Sequence, residues 1–174
     1  MKKIYPILLK VVETNFDNTV NRICNRLQKI SPSHYEIIDF ERHQEREEQF
    51  LSLICDALRN EDVFILEKHM ISLADTRHNE GYTLKEVQSA IDAIEEELWH
   101  TIVHSGYENH DIIDMLFECH RMMVRARNQF ATSFAEKQID AQKRMNKLKE
   151  RFYIYKHDRI DLEDKSSMDT LGEE

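Results

Sequence analysis

Residues 111–155 read DIIDMLFECHRMMVRARNQFATSFAEKQIDAQKRMNKLKERFYIY, without a proline or a glycine. Alternating steps of three and four residues trace a mostly apolar seam along this stretch: Phe117, His120, Val124, Arg127, Ala131, Phe134, Gln138, Ala141, Met145, Leu148, Phe152 and Tyr155. A spacing near 3.5 residues is typical of a helix that packs against a partner helix. As one helix the stretch would be roughly 65 Å long, which exceeds the width of a compact domain of this size. We therefore expect it to protrude, bend back or pair with a partner.

The composition predicts an all-α protein. The 174 residues include three glycines and two prolines, with 41% hydrophobic and 33% charged residues, which leaves few turns for a multi-stranded sheet. Apolar periodicity predicts helices over residues 4–30, 34–59, 63–78 and 84–102 before the long one, with a possible break near Asn15. We expect a capping box between Ser33 and Glu36, and an exposed polar surface over residues 41–48.

The strongest local signal lies between the third and fourth predicted helices. Gly81 suits the position after a helix end, where the backbone φ is positive. Thr83 and Glu86 have the spacing of a capping box, and Tyr82 and Val87 have that of a hydrophobic staple. The next predicted helix then carries its apolar stripe from Leu84 through Leu98 to Ile102.

Charge and cysteine content exclude several classes of protein. The net charge of −9 argues against a general nucleic-acid binder, although residues 136–151 carry six Lys or Arg and are a conceivable docking site for a partner. Cys24, Cys55 and Cys119 are far apart and are expected to be reduced thiols in the core of a cytoplasmic protein. We find no signal peptide, membrane span, nucleotide-binding loop or catalytic signature, so neither membrane association nor enzyme activity is expected.

Two spacings could place metal ligands on one face of the fourth predicted helix. Glu97 and His100 match the Glu-x-x-His spacing of di-iron bundles, but such a site needs the motif twice and only one copy is present. His100 and His104 lie four residues apart and could share a metal. The simpler interpretation of both pairs is an exposed helix edge, with residues 95–97 in contact with solvent.

Several parts of the chain resemble the N-terminal sensor domains of stressosome RsbR-type proteins and of some bacterial histidine kinases. The segments that carry the resemblance are REEQFL (46–51), LADTR (73–77), GYTLKEV (81–87), AIDAIE (90–95), Leu98-Trp99, and Leu116-Phe117 with the helix leading to Phe134. The resemblance implies a globin-like bundle that usually lacks haem, dimerises and signals through its last helix. It also makes haem ligation by His100 or His104 an alternative, which would need an apolar cleft and a held imidazole.

The sequence thus predicts a globin-like bundle of about five helices with an extended C-terminal helix. We expect a sensor-like domain over residues 1–135, a coiled-coil-like extension over 136–157 and a disordered acidic tail over 158–174. No STAS, PAS-like or ATPase module is recognised after the sensor-like domain. We therefore expect either a stand-alone relative or a signal that passes to a separate kinase or stressosome-type protein.

The expected function is a bacterial sensory or signal-transduction module that acts as a homodimer. The alternative is a haem- or metal-binding bundle. Leu84, Ile91, Ile94 and Leu98 are predicted to form the core with the seam from Phe117 to Phe134. His120 and Arg127 would either pair with acids of the fourth helix or fix the register between two long helices. Candidates for the dimer and signalling surface are Phe117, His120, Val124, Arg127, Ala131, Phe134, Met145, Leu148 and Phe152.

Overall fold

The computed structural model describes residues 4–30, 34, 35 and 37–169, with side chains up to residue 153. It has six helices: α1 (Ile4–Thr14), α2 (Phe16–Leu27), α3 (Phe40–Arg59), α4 (Phe64–Asn79), α5 (Leu84–Val103) and α6 (Asn109–Asp169). No strand occurs among these residues, so the all-α prediction is confirmed. The chain divides into two compact units, Met1–Ala135 and Glu136–Glu174.

The first predicted helix is divided at Asn15, where the sequence predicts a possible break. The side-chain amide of Asn15 donates to the Val11 carbonyl at 2.9 Å, and its backbone N–H donates to the Val12 carbonyl at 3.2 Å. Asparagine competes in this way with the regular hydrogen bonds of a helix. The break therefore accounts for six helices where about five were expected.

Helix α3 begins later than predicted and buries part of its polar first half. Asp39 caps it by accepting from the backbone N–H of Arg42 at 2.9 Å, whereas the predicted cap at Ser33 and Glu36 lies outside the described residues. The expectation of an exposed surface over residues 41–48 is wrong for His43 and Glu47, which are buried. Both lie on the helix face that continues into the core.

The turn between α4 and α5 is formed as the sequence predicts. Gly81 has a φ of +85°, a conformation that side chains with a Cβ rarely adopt. The Thr83 hydroxyl accepts from the Glu86 N–H at 3.2 Å, and the Glu86 carboxylate accepts from the Thr83 N–H at 2.7 Å. Burial alone would raise the pKa of Glu86, but hydrogen bonds from Thr83 and His34 lower it to about 2. The cap therefore keeps a charged carboxylate at the positive end of α5.

The core of the first unit uses the predicted stripe of α5 but a different face of α6. Ile91, Ile94 and Leu98 are buried as expected, and so are the three cysteines, which are free thiols. From α6 the core receives a face that shares only Phe134 with the predicted seam: Met115, Cys119, Met122, Met123, Ala126, Phe130 and Phe134. The prediction that the seam from Phe117 to Phe134 forms the core is thus wrong at Phe117, which is 64% exposed.

The second unit is helical through Asp169. The sequence predicts a disordered tail from residue 158, but residues 158–169 belong to α6, and 170–174 lie outside the described residues. No glycine or proline interrupts the chain between residues 109 and 169, so nothing local ends the helix. Among the described residues, no helix is long and apolar enough to cross a membrane.

Replacing Thr83 with alanine removes the N-cap hydroxyl of α5, and we expect the free energy of unfolding to fall by about 1 kcal/mol. Urea denaturation measures this difference. The matched control is Thr76→Ala, where an exposed hydroxyl donates only to the Ser72 carbonyl of its own helix, and the expected change is within about 0.5 kcal/mol. Equal stability of the two variants would contradict a structural role for the cap.

Candidate functional site

An apolar surface is exposed where α5 and α6 meet, and we call it the α5–α6 face. It consists of Trp99 and Val103, one turn apart on α5, and of Ile113 and Phe117, one turn apart on α6; all four are exposed. The rings of Trp99 and His120 lie 6.0 Å apart, which brings the two helices together at this face. Exposed apolar patches of this kind typically mark interaction sites.

A buried carboxylate lies beside this face and joins the two helices. Glu95 on α5 is only 4% exposed. Its Oε1 lies 2.7 Å from Nδ1 of His120, and its Oε2 accepts from Nη2 of Arg127 at 2.5 Å. Arg127 also lies 2.7 Å from Oδ1 of Asp92. The predicted pairing of His120 and Arg127 with acids of this helix is therefore confirmed, while the prediction that residues 95–97 are all solvated is wrong for Glu95.

The structure separates the predicted dimer and signalling residues into accessible and inaccessible ones. Phe117 and His120 are exposed, whereas Val124, Arg127 and Ala131 are half-buried. Phe134 is 0% exposed, so it belongs to the core and cannot contact a second chain without unfolding. In the second unit, the remaining candidates are all exposed: Met145, Leu148 and Phe152.

The predicted metal candidates do not come together in a group of three or more ligands among the described side chains. The carboxylate of Glu97 accepts from Nε of Arg22 at 3.0 Å and from Nη1 of Arg26 at 3.1 Å. His100 and His104 are exposed, with stacked rings 4.1 Å apart. Within residues 4–30, 34, 35 and 37–153, no group of three or more His, Cys, Asp or Glu side chains is placed to hold a metal ion.

A small cavity between α3, α4 and α5 was not predicted from the sequence. Its volume is about 90 Å³. The turn before α3 and the three helices provide its lining: Tyr35, Arg46, Glu47, Gln49, Phe50, His69, Met70, Leu73, Arg77, Val87, Ala90, Ile91 and Ile94. The α5 side of the cavity is entirely apolar, and its polar groups come from the turn, α3 and α4.

Glu47 is the buried acid of this cavity. None of the described residues donates a hydrogen bond to its carboxylate, although the guanidinium groups of Arg77 and Arg46 are close enough to act on its charge. Burial raises the pKa of Glu47 to about 7, and the two arginines oppose that shift. Its carboxyl group therefore changes protonation state near neutral pH. The sequence signal was its spacing from Phe50 and Ile54, which places it on the buried face of α3.

Two arginines on the polar side of the cavity, Arg46 and Arg77, are both paired with Glu80 outside its lining. Nη1 of Arg77 lies 2.5 Å from one Glu80 oxygen, and Nη2 of Arg46 lies 3.3 Å from the other. The Arg77 guanidinium also lies 5.0 Å from the centre of the Tyr82 ring. Its Nε is buried and finds no acceptor among the described residues. Burial lowers the pKa of His69, and Arg77 adds to that effect, so His69 is neutral at neutral pH.

Comparison with known proteins gives a fold but no family. No family model matches the sequence, and no curated protein is significantly similar to it. Two solved structures of the globin domain of E. coli DosC are similar, with a TM-score of 0.63 and 11% identity in both cases. The ferrous form matches over 75% of this chain and 89% of its own, and the ferric form over 76% and 90%. The globin-like fold is therefore confirmed, while the likeness to stressosome-type sensor domains stays a prediction.

A globin-like fold raises the question of haem, whose iron is commonly held by a proximal histidine. The cavity has a volume of about 90 Å³. Pockets for drug-sized ligands measure roughly 300–1,000 Å³, and haem is no smaller than such ligands. His69 is the histidine that lines this cavity, whereas His100 and His104 lie on the exposed surface. The residues around the cavity as folded do not fit a haem.

Arg127→Ala leaves the buried Glu95 carboxylate with His120 as its remaining partner. We expect the free energy of unfolding to fall by about 3 kcal/mol, because removing one partner of a buried ion pair strands a charge. The control is Arg125→Ala, which removes an exposed ion pair with Glu67 and should cost less than about 1 kcal/mol.

Adding Glu95→Gln to Arg127→Ala should recover part of the lost stability, because the stranded charge is then gone. Denaturant unfolding of the three variants and the unchanged protein measures all of these differences. If Arg127→Ala were no more harmful than Arg125→Ala, the cluster around Glu95 would not be what joins α5 to α6.

Proposed function

We propose that this chain is a cytoplasmic sensory module: a globin-like domain that works without haem, dimerises through the α5–α6 face and has no catalytic activity of its own. The observation that carries the proposal is the group of four large apolar side chains exposed together on that face, Trp99, Val103, Ile113 and Phe117. The resemblance to sensor domains of RsbR-type proteins and histidine kinases supports it independently.

A second copy of the chain, related by a twofold axis, is the simplest partner that would bury this face. In a twofold dimer the same surface occurs on both chains, so an apolar patch is complementary to its own copy. Helix α5 has 20 residues, which corresponds to about 30 Å at 1.5 Å per residue. Together with residues 109–135 of α6, a helix of that length from each chain can contribute the roughly 1,200–2,000 Å² that stable interfaces bury. The exposed aromatic rings of Trp99 and Phe117 would be the anchors of this interface.

In the proposed mechanism, α6 carries the signal. Glu95, His120 and Arg127 link α5 to α6 through charged hydrogen bonds, which have discrete geometries rather than a continuous range. A small shift of α5 would therefore move α6 between two packed arrangements. In the second unit, Met145, Leu148 and Phe152 have the spacing of a coiled-coil seam and would pair with the same seam of the mate. The receiver would be a separate partner, such as a kinase or a stressosome-type protein.

The α5–α6 face predicts how single substitutions change the oligomeric state. Light scattering after size exclusion at micromolar concentration should give a dimer for the unchanged chain and a monomer for Phe117→Asp, because a carboxylate would be buried in the interface. The control is Phe64→Asp on α4, where the phenylalanine is 62% exposed and is not one of the four residues of this face. This variant should stay dimeric. A monomeric unchanged chain, or equal effects of the two variants, would refute the proposal.

A haem- or metal-binding bundle is the competing function, and the comparison with globin domains in ferrous and ferric forms favours testing it. We expect the purified chain to show no Soret band and no stoichiometric iron or zinc, since the 90 Å³ cavity is too small for a macrocycle. Titration with haemin should give only weak, non-saturable spectral changes. A sharp Soret band that is lost in His69→Ala, His100→Ala or His104→Ala would favour the competing function.

A further inference from the structure

The cavity between α3, α4 and α5 contains two polar groups that the described residues leave without hydrogen-bond partners. One is the Nε of Arg77, which is buried and has no acceptor among the described residues. The other is the carboxyl group of the buried Glu47, on which the charges of Arg77 and Arg46 act without a hydrogen bond. Buried groups of this kind are costly unless something satisfies them, so each one needs an explanation. The two line the same cavity, which means that one occupant could satisfy both.

The charges around the cavity select the kind of occupant. Arg46 and Arg77 bring two positive charges, and Glu80, which is paired with both, brings one negative charge. With Glu47 in its neutral form the local sum is one positive charge, which matches a single monoanion. An amine would instead raise the local sum to two positive charges and would lie beside two guanidinium groups, and that arrangement is repulsive.

The size of the cavity and the chemistry of its walls narrow the choice of ligand further. A volume of about 90 Å³ corresponds to roughly three water molecules, or to a ligand of about four to six non-hydrogen atoms. Opposite the arginines, the wall is hydrocarbon, contributed by Met70, Leu73, Val87 and Ile91. A molecule with an anionic end and a short apolar tail matches both sides.

We propose that this cavity binds a short aliphatic monocarboxylate, of roughly two to four carbon atoms. Its carboxylate accepts hydrogen bonds from Nε of Arg77 and from the protonated carboxyl group of Glu47, and its tail packs against the apolar wall. The role of this cavity as the input site of the sensory module rests on the proposed function, but ligand binding and dimerisation are measured separately.

Binding is then linked to pH. Glu47 on α3 has a pKa raised to about 7, mainly by burial, and it must be protonated to donate to the ligand. Its titratable and charged neighbours are His43 and Arg46 on α3, His69 and Arg77 on α4, Glu80 paired with both arginines, the Tyr35 hydroxyl from the preceding turn, and the Cys24 thiol on α2; α5 contributes apolar side chains only. Burial raises the pKa of both Tyr35 and Cys24, and lowers that of His69. These three groups therefore keep their charge state between pH 7 and 8, and Glu47 is the group expected to take up the proton.

The test is titration of the full chain with sodium butyrate. Binding is detected by calorimetry and by changes in the NMR chemical shifts of the methyl groups that line the cavity. We expect saturable binding of one butyrate per chain. Above pH 7 the affinity should fall about tenfold per pH unit because binding takes up one proton, and below pH 6.5 it should level off. Butylamine tests whether the ligand must be an anion, and hexanoate tests whether a longer tail fits. Both should bind at least tenfold more weakly than butyrate. Absence of saturation, or equal binding of butylamine, would overturn the proposal.

Substitutions separate the ligand site from general effects on folding. Glu47→Gln keeps a donor without a titrating proton, so it should bind butyrate with an affinity that no longer changes between pH 7 and 8. Ala90→Leu fills the cavity and should abolish binding. Ala93→Leu adds the same volume at a buried position of the same helix outside the cavity lining, and should bind normally. Thermal unfolding of each variant confirms that it is folded.

Two results would count against the site itself: butyrate binding that survives Ala90→Leu, or a pH dependence that survives Glu47→Gln. The outcome also distinguishes this inference from the proposed function. A chain that dimerises through the α5–α6 face but does not bind butyrate overturns the ligand site alone. A monomeric chain that binds butyrate with the expected pH dependence overturns the dimeric sensory function alone.

Discussion

The buried Glu95 carboxylate is the constraint that sets how residues 109–135 of α6 pack within the first unit. A charge removed from water needs partners within hydrogen-bonding distance, and His120 and Arg127 of α6 supply them. These two residues are seven apart, so both bonds form only when one particular face of α6 is turned toward α5. That rotation directs Met115 and its neighbours into the core and leaves Phe117 in solvent. One ion cluster thus determines both the core face of the helix and the candidate interface.

The sequence predicts best where the deciding interactions are local. The Gly81 turn and the capping box of Thr83 and Glu86 involve residues at most five apart, so their chemistry is visible in the sequence itself. The orientation of α6 is different, since the Phe117 seam and the Met115 face are both apolar at the same helical period. Periodicity cannot choose between them. The choice depends on Glu95, more than twenty positions away, and its pairing with His120 and Arg127 was only one of two interpretations open from the sequence.

The cavity was missed for a related reason. Residues 41–48 are rich in charge, and average composition assigns such a segment to the surface. Burial of Glu47 is decided by tertiary neighbours, since Arg77 from α4 and Tyr35 from the preceding turn line the same cavity and act on its charge or are acted on by it. The helical phase shared by Glu47, Phe50 and Ile54 was the available signal. The position of a residue on the helix alone does not predict that a carboxyl group can be buried in the protein without a hydrogen-bonding partner.

Helix α5 connects the two candidate sites, and this gives the proposed module a physical route from input to output. On one side, Val87 and Ile91 form part of the cavity wall, while Glu95 and Trp99, one to two turns further along, contact α6. A packed helix shifts as a unit because its interior neighbours leave no room for local bending. Filling the cavity and neutralising Glu47 would change the packing of α5 where α3 and α4 contact it. The same displacement would reach the Glu95 cluster, where only discrete hydrogen-bond arrangements are available, and would there become a change in the position of α6.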